Sequence, residues 1–473
     1  MPIRIDTRLT AQKLLPKIER LFDLSAQKIL GLQRSWNPSQ GTPVVTVRGR
    51  YGSRAWTDWT QGFQFGAALL QFDATGEKRF LELGRRQTIR QMAPHVSSMG
   101  VHDHGFNNIS TYGNLWRLMI EGKTPFNEQE RDLYELALKV SGAVQAARWA
   151  RTADGAGYIY SFNGPHSLFV DTVRSLRSLA VAHRLGHVLR GERDQSISLL
   201  RRLLDHADTT ARYSIYYGKG RDAFDVRGRT AHESIFNLND GSYRCPNSQQ
   251  GYSPFSTWTR GLAWAILGYA EQLEFLGTLN GKEAGQGTRS PGSRSGAGRD
   301  MAASRALFLE AARATADFYL VNSCADGIPM WDTGAPNLHR LGDYRSKPAD
   351  PFNRWEPVDS SAAAIAAQGL VRLGNYLTGR GDEKNGERYR RAGLTVASTL
   401  FDDPYLSTNP RHQGLILHSV YHRPNGWDYV APGEKVPNGE SSMWGDYHAR
   451  ELALLLLREA RCDPYPTFFA ARD

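Results

Sequence analysis

The chain has 473 residues, 40% of them hydrophobic and 22% charged, which is ordinary globular material able to bury a large core; length alone would suggest two or three domains. Net charge is +10, with Arg far outnumbering Lys, yet no basic run is dense enough for a nucleic-acid partner and no stretch is apolar enough to span a bilayer. Cys245, Cys324 and Cys462 are too widely spaced for a disulfide framework or a zinc site and read as core thiols. The opening segment, MPIRIDTRLTAQKLLPKIERLF, has no apolar h-region, so the cytoplasm is the default compartment, with the periplasm left open for a chain whose signal was removed.

Apolar residues at i, i+3, i+4 and i+7 predict helices over 8-31, 57-73, 76-93, 104-121, 127-150, 167-187, 190-209, 254-276, 301-321, 357-379, 383-402 and 441-459. The even-numbered ones, such as LAWAILGYA and SSAAAIAAQGL, are rich in Ala, Gly and aromatics. The odd-numbered ones, such as NEQERDLYELALKV, keep a charged face. A helix without a polar face is buried all round and one with a polar face lies outside, so the sequence sorts into an inner and an outer ring. That is an all-α fold, an (α/α)6 barrel, expected as a single domain over 1-473. Strand signals at YIYSF (Tyr158) and GLILHSVYH (from Gly414) predict small β-hairpins on the rim. The Gly, Ser and Arg rich stretch 277-304 has too few apolar groups to offset its ordering entropy and reads as a flexible surface loop. The segment from Ala211 to Phe255, with its Tyr, His, Asn and Gln ahead of an inner helix, is placed as a functional rim loop would be.

Motifs rich in Trp, Asp, Gly and Asn open the inner helices: WTDWTQGFQFG at Trp56, VHDHGFNNISTYG at Val101, HSLFVDTVRSL at His166, STWTRGLAWAI at Ser256, PVDSSAAAIAA at Pro357 and SSMWGDYHARE at Ser441. Alternate helices of an up-down ring run parallel, so these ends converge on one mouth and form one site. Asp103 and Asp171 each open an inner helix, where the dipole favours negative charge. A lone Asp there is more often a cap. However, Asp171 follows Leu168, Phe169 and Val170, and Asp103 is flanked by His102, His104 and Phe106. Shielding and a neighbouring carboxylate raise a pKa, which suits one of the two to act as an acid near neutral pH. Trp258, Arg260 and Trp264 surround the first turn of the next inner helix. Indole rings stack on sugar faces and a guanidinium clamps a carboxylate, so the trio describes a subsite for an acidic sugar. Taken singly, either Trp would read as helix packing and His232 as a loop histidine.

Together these residues resemble the unsaturated glucuronyl hydrolases of glycoside hydrolase family 88. The similar features are HDxGF at His102 to Phe106, VDT at Asp171, His232, Gln250, WxRGxAW at Trp258 to Trp264, DGIPMWD at Asp326, DSSAAAIAA at Asp359 and WGDY at Trp444. The resemblance implies an (α/α)6 barrel that removes the 4,5-unsaturated uronic acid from the non-reducing end of lyase-generated oligosaccharides, with no metal or cofactor. It implies that Asp171 protonates C4 and then activates water for attack at C5, and that Asp103 holds ring hydroxyls and raises its partner's pKa. By the same carry-over His232 and Gln250 lie at the reacting ring, Arg260 faces the uronate, and Trp258, Trp264, Trp59 and Trp444 shape the subsite. The acting unit would be a monomer or homodimer. The chain departs from the family at Leu262, where Gln is usual, and in longer loops before Gln250 and after Gly277. It also lacks the Ser and Lys cluster near the C-terminus of sulfate-tolerant members, which points away from sulfated fragments. An unsaturated rhamnogalacturonyl hydrolase would share the barrel, and the pair Asp103 and Asp171 argues against it. An epimerase would need a second histidine to match His232. A non-catalytic carbohydrate-binding toroid would not need Asp171.

Overall fold

The computed structural model describes residues 2–54, 58–280 and 300–469. Its outer helices are α1 (Ala11–Ser35), α3 (Lys78–Gln91), α5 (Glu128–Ala147), α7 (Leu199–Tyr213), α9 (Met301–Asn322) and α11 (Glu383–Leu400). Between them run the inner helices α2 (Gln61–Thr75), α4 (His104–Asn108, a π turn Ile109–Gly113, then Asn114–Ile120), α6 (Thr172–Ser175 and Arg177–Arg184), α8 (Thr259–Thr278), α10 (Ser360–Thr378) and α12 (Met443–Arg461). Inner helices touch in the order α2, α4, α6, α8, α10, α12 and back to α2, so the ring is closed, and each outer helix packs on the inner ones beside it. This is the (α/α)6 arrangement expected from the alternating polarity. Helices α8, α10 and α12 are buried along almost their whole length, while α3 and α11 bury one face.

Two local features let this sequence close a ring. Side chains of Thr10, Asn127, Ser198, Asp300, Asp359, Asp382 and Ser442 accept from amide N–H groups in the first turn of their helices, which satisfies donors that would otherwise be orphaned. Glycines let inner helices touch backbone to backbone: a Cβ on Gly105 would stand 2.2 Å from the Ser175 carbonyl oxygen, and one on Gly369 2.7 Å from the Leu267 nitrogen.

The interior of the ring is filled with paired charge. Arg174 reaches Glu271 (2.9 Å) and Glu451 (3.0 Å) and Arg177 reaches Glu451 (3.4 Å), all buried, and buried Arg372 holds the half-buried Glu274 (2.9 Å). Burial lifts Glu271 above the ordinary carboxylate value, whereas Arg177 and its neighbours overcome burial and hold Glu451 below it. Asp73 lies among Arg117 (2.8 Å), Arg458 (2.8 Å) and Lys123 (2.5 Å). The C-terminal segment crosses these groups. Tyr465 donates to Glu274 (2.7 Å), Arg372 and Arg458 donate to the carbonyls of Pro466 (3.2 Å) and Pro464 (3.1 Å), and Phe468 lies under Arg117 and Arg177.

Short antiparallel strands decorate the rim: β1 (Val45–Val47) with β2 (Arg50–Gly52), β3 (Trp149–Ala150) with β4 (Tyr158–Ile159), and β6 (Leu189–Arg190) with β7 (Ser196–Ile197). A three-stranded sheet runs β5 (Ser167–Phe169), β8 (Glu233–Phe236), β9 (Tyr243–Asn247). Several expectations shift here. The helix expected over 167-187 begins only after β5, and that over 190-209 only after the β6–β7 hairpin. GLILHSVYH forms no extended strand but keeps one antiparallel bridge, Leu406 to Ile416, in which Ser407 donates to the Leu415 carbonyl (2.8 Å) and Leu417 to the Tyr405 carbonyl (2.7 Å), while Leu415 and Ile416 donate their own N–H groups to the Asp446 carboxylate (2.8 and 2.9 Å). Of the three cysteines read as core thiols only Cys324 is buried; Cys245 lies on the edge strand β9 and Cys462 caps α12 in the left-handed region. Most of the loop expected at 277-304, residues 281–299, lies outside the described residues, and α8 continues to Thr278. Among the described residues no helix is long and apolar enough to cross a membrane.

Removing one member of the buried charge cluster leaves its partners uncompensated. Glu451→Ala should lower unfolding stability by about 3–5 kcal/mol in denaturant titrations. A loss under about 1 kcal/mol would show that water already shares these charges.

Candidate active site

The inner helices α2, α4, α6 and α8 present their N-terminal ends to one cavity of about 270 Å³. Its lining includes Trp59 ahead of α2, His102, Asp103 and Phe106 at α4, Phe169 and Asp171 at α6, and Trp258, Arg260 and Trp264 at α8. The rim loops add Phe162, Gln249, Gln250, Tyr421, His422 and Trp427. Asp103 and Asp171 occupy the capping position of their helices, yet neither carboxylate accepts from its own helix. Asp359 at α10 does, from Ser361 and Ala362. The two aspartates are thus free for other chemistry.

His102, flanking but unassigned in the sequence, joins them. Its Nε2 lies 3.3 Å from Asp171 Oδ1 and 3.6 Å from Asp103 Oδ1, and its ring is held against Phe162 and Phe169. Gly105 makes this possible, because α4 meets α6 at Ser175 without room for a side chain. Burial, the largest influence, together with the Asp171 charge pushes Asp103 up to about 6 against the pull of His102. Burial also works to raise Asp171, but the hydrogen bond and charge of His102 prevail and hold it below the ordinary carboxylate value. His102 is opposed by burial and still raised by the two aspartates. Of the two carboxyls Asp103 therefore keeps its proton to the higher pH, with Asp171 ionised against His102.

His232 lies behind the lining, its ring against Phe169 and Trp258. Its Nδ1 accepts from the N–H groups of Gln249 (3.0 Å) and Gln250 (3.3 Å), so the proton of the neutral ring sits on Nε2, which has no partner among the described residues. Burial pushes this histidine down to about 3, so it stays neutral. His422 shows the same pattern, with Nδ1 accepting from Asn425, Nε2 without a partner among the described residues and burial pushing it down to about 4.

Arg260 departs from its expected part. Its guanidinium is buried and committed, to Asp359 (3.1 Å) and the Val420 carbonyl through Nη1 and to Gln250 Oε1 (2.8 Å) and the Tyr421 carbonyl (2.7 Å) through Nη2. It lies between the rings of Trp258 (4.5 Å) and Trp444 (4.8 Å). The bidentate clamp on a ligand carboxylate read from the sequence is replaced by a brace: Arg260 fixes the Gln250 amide so that its N–H groups remain for a ligand. Trp444 is also displaced from the expected role. It is fully buried, bonded to Ser361 Oγ (2.9 Å) and stacked behind Trp59 (5.2 Å), so Trp59 rather than Trp444 faces the cavity. Trp264 faces it with its body packed on Phe106 (4.8 Å). Tyr421 and His422 were missed because their segment reads as a strand, and Trp427 follows it; the segment is held by Asp428, which accepts from the N–H groups of Tyr421 and His422. Among the described residues no group of three or more His, Cys, Asp or Glu is placed to hold a metal ion.

No protein-family model matches the chain. It is 26% identical to the unsaturated glucuronyl hydrolase of Bacillus sp. (strain GL1), over 85% of this chain and 87% of that one. The chain is similar to the unsaturated glucuronyl hydrolases. An unsaturated chondroitin disaccharide hydrolase of Streptococcus pyogenes serotype M1 is 22% identical over 97% of this chain and 96% of its own length. Among solved structures, an unsaturated glucuronyl hydrolase specific for heparin superposes with a TM-score of 0.68 at 19% identity, over 94% of this chain and 98% of that one. The Bacillus sp. GL1 unsaturated glucuronyl hydrolase superposes at 0.67 and 23% identity, over 96% and 98%. These superpositions establish the shared barrel.

Because Asp103 holds its proton more tightly in the native state than in the unfolded chain, its ionisation costs stability as pH rises from about 4 through about 6. Asp103→Asn removes that cost. The variant should gain of order 3 kcal/mol over the parent at pH 8 and nothing near pH 3, read from paired thermal melts. An equal gain at both pH values would mean that the carboxylate is not the source.

Proposed function

We propose that the protein is a hydrolase removing the 4,5-unsaturated uronic acid from the non-reducing end of lyase-generated oligosaccharides. The observation that carries this is the pair of buried helix-opening aspartates that cap nothing and share His102. The site's chemistry fits hydration of an enol ether. A proton from the pair adds to C4, charge develops at C5 and the ring oxygen, and water adds at C5 as Asp171 takes its proton. The resulting hemiketal opens, and the glycosidic oxygen leaves with a proton as the sugar on the reducing side is released. No carboxylate is needed as a nucleophile, so the separation rule for retaining and inverting glycosidases does not apply.

In the empty cavity Asp171 is ionised. A bound uronate brings a second negative charge and displaces water, and both changes raise Asp171 toward the protonated form. His102 can hand over the proton, and Asp103 keeps ring hydroxyls in place. Neutral His422 and the free amide of Gln250 offer N–H donors to the uronate, while Trp59, Trp258 and Trp264 wall the sugar. The helix N-termini around the mouth add a favourable field for an anion. The proposal keeps the cytoplasm as compartment and a monomer or homodimer as acting unit, without nucleic acid or membrane as partner; loss of an export signal would leave the chemistry unchanged.

Loss of the conjugated uronate absorbance on incubation with lyase-generated disaccharides tests this reading. Asp171→Asn should bind substrate and turn over none, because the amide can neither give nor regain a proton. Activity above a trace in a clean preparation would remove Asp171 from the reaction. Arg260→Ala should lower kcat more than it raises KM, since it frees Gln250 and the 420–421 carbonyls, by roughly 100-fold on the scale of a displaced catalytic group. A rise in KM alone would restore the direct clamp on the uronate.

A further inference from the structure

The last turn of the outer helix α5 reaches through to the catalytic pair. Its Gln145 donates from Nε2 to the His102 carbonyl (2.7 Å) and to Ser175 Oγ (3.0 Å), and Ser175 Oγ donates to the same carbonyl (3.0 Å). Arg148, which caps the helix, is buried and directs its guanidinium at backbone carbonyls: Nε at Tyr160 (3.2 Å), Nη1 at Met99 and Nη2 at Ser161 (2.8 Å). The same group lies 4.3 Å from the Tyr160 ring. Two wall segments are fixed in this way. Met99 leads into Gly100, Val101 and His102, and Ser161 precedes Phe162; all four of those residues line the cavity, and the Phe162 ring is stacked on that of His102 (5.9 Å). His102 Nε2 stands 3.3 Å from Asp171 and 3.6 Å from Asp103, so a small displacement of its backbone exchanges its partner.

Among the described residues Arg148 forms no ion pair with a carboxylate, although it is a buried cation. Retaining such a charge costs stability, because neither water nor a counter-ion offsets its desolvation. Its charge acts on the site instead. The groups around Asp103 are His102 beside it, Asp171 from α6, Tyr421 from the rim loop and Arg148 from α5. Three further histidines interact with His102 and stay neutral: burial pushes His104 of α4 down to about 4, and His206 of α7 and His232 of β8's entry down to about 3. Arg260 acts on Asp171 while paired with Asp359. Arg148 is therefore the permanent cation on the Asp103 side. It opposes the burial that raises Asp103, and it joins burial in working against a charged His102 ring.

We propose that Arg148 is a positioning residue for the catalytic pair, fixing the two wall segments that carry His102 and Phe162 and placing a permanent positive charge on the Asp103 side. The inference rests on the hydrolase reading and deepens it. Arg148 touches neither aspartate and acts through the His102 segment and through its field. Both actions need a guanidinium: its planar fork meets three carbonyls at once, and its charge does not titrate away.

The test compares Arg148→Gln, which removes the charge, with Arg148→Lys, which keeps it and loses the fork, in the full chain. On a lyase-generated unsaturated disaccharide, kcat should fall roughly tenfold or more in both, the scale of a displaced catalytic group, with KM changed by less than about twofold. The ionisation seen near pH 6 in the profile of kcat/KM should move up by about half a pH unit in Arg148→Gln and stay in place in Arg148→Lys. A second measurement needs no turnover. Without the cation Asp103 holds its proton still more tightly in the native state, so its ionisation costs more; the rise in melting temperature that Asp103→Asn brings at pH 8 should be larger in the Arg148→Gln background than in the parent, with no difference near pH 3. An unshifted profile together with an equal rise in both backgrounds overturns the proposal and leaves Arg148 a loop fastener. If Arg148→Gln does not fold, Arg148→Lys decides: a fall in kcat at unchanged KM supports the positioning role, and parent-like kcat overturns it. If the parent turns over no unsaturated uronide, the reaction assignment fails, while the melting comparison still decides whether Arg148 acts on Asp103.

Discussion

Inner helices running side by side in one direction must share an axis, and in this protein the axis is occupied by charge. Arg174, Arg177 and Arg372 meet Glu271, Glu274 and Glu451 with little access to water. Such an arrangement is tolerable only when every partner is in place, because a single uncompensated ion in this environment costs several kcal/mol. It therefore ties α6, α8, α10 and α12 to one another in register. The Gly105 and Gly369 contacts set how closely adjacent inner helices approach. What the mouth presents depends on both.

At that mouth four aspartates of similar local sequence are put to different uses. Asp359 caps α10 and neutralises Arg260; Asp446 collects the N–H groups of Leu415 and Ile416 and the Tyr51 hydroxyl. Their oxygens are spoken for. Asp103 and Asp171 have His102 between them instead; burial raises both, and the contact with His102 decides which holds its proton longer. The carboxyl lacking a direct hydrogen bond to the ring, Asp103, rises to about 6, and the bonded one falls. One histidine thus separates two chemically identical groups into one that holds its proton to about pH 6 and one that gives it up earlier.

Arg260 couples this centre to the rim. Its four contacts join α8 to the helix start at Asp359, to the Gln250 loop and to the carbonyls of Val420 and Tyr421. Those two loops bound the cavity, so a substitution at Arg260 should disturb the groups around the reacting ring. A guanidinium suits this position because its planar fork meets carbonyls in several directions, which a lysine ammonium on a flexible stem does not reproduce.

The sequence by itself determined the helices, their inner or outer place and the convergence of the motif ends, because polarity along a helix reports directly which faces meet water. It also picked out Asp103, Asp171, Trp59, Trp258, Trp264 and Gln250 as residues that stand together at the mouth. It could not tell which aspartate keeps a proton, since that depends on a 3.3 Å contact from His102 and on burial by residues distant in the chain. Nor could it tell that Arg260 is occupied by Asp359 and two carbonyls, that Trp444 stands behind Trp59, or that GLILHSVYH stops at a single bridge to Leu406 while Leu415 and Ile416 donate to the Asp446 carboxylate. Each of these is settled by which partner reaches a hydrogen-bonding group first in space. Spacing along the chain encodes periodicity, whereas the choice among competing partners belongs to the tertiary structure.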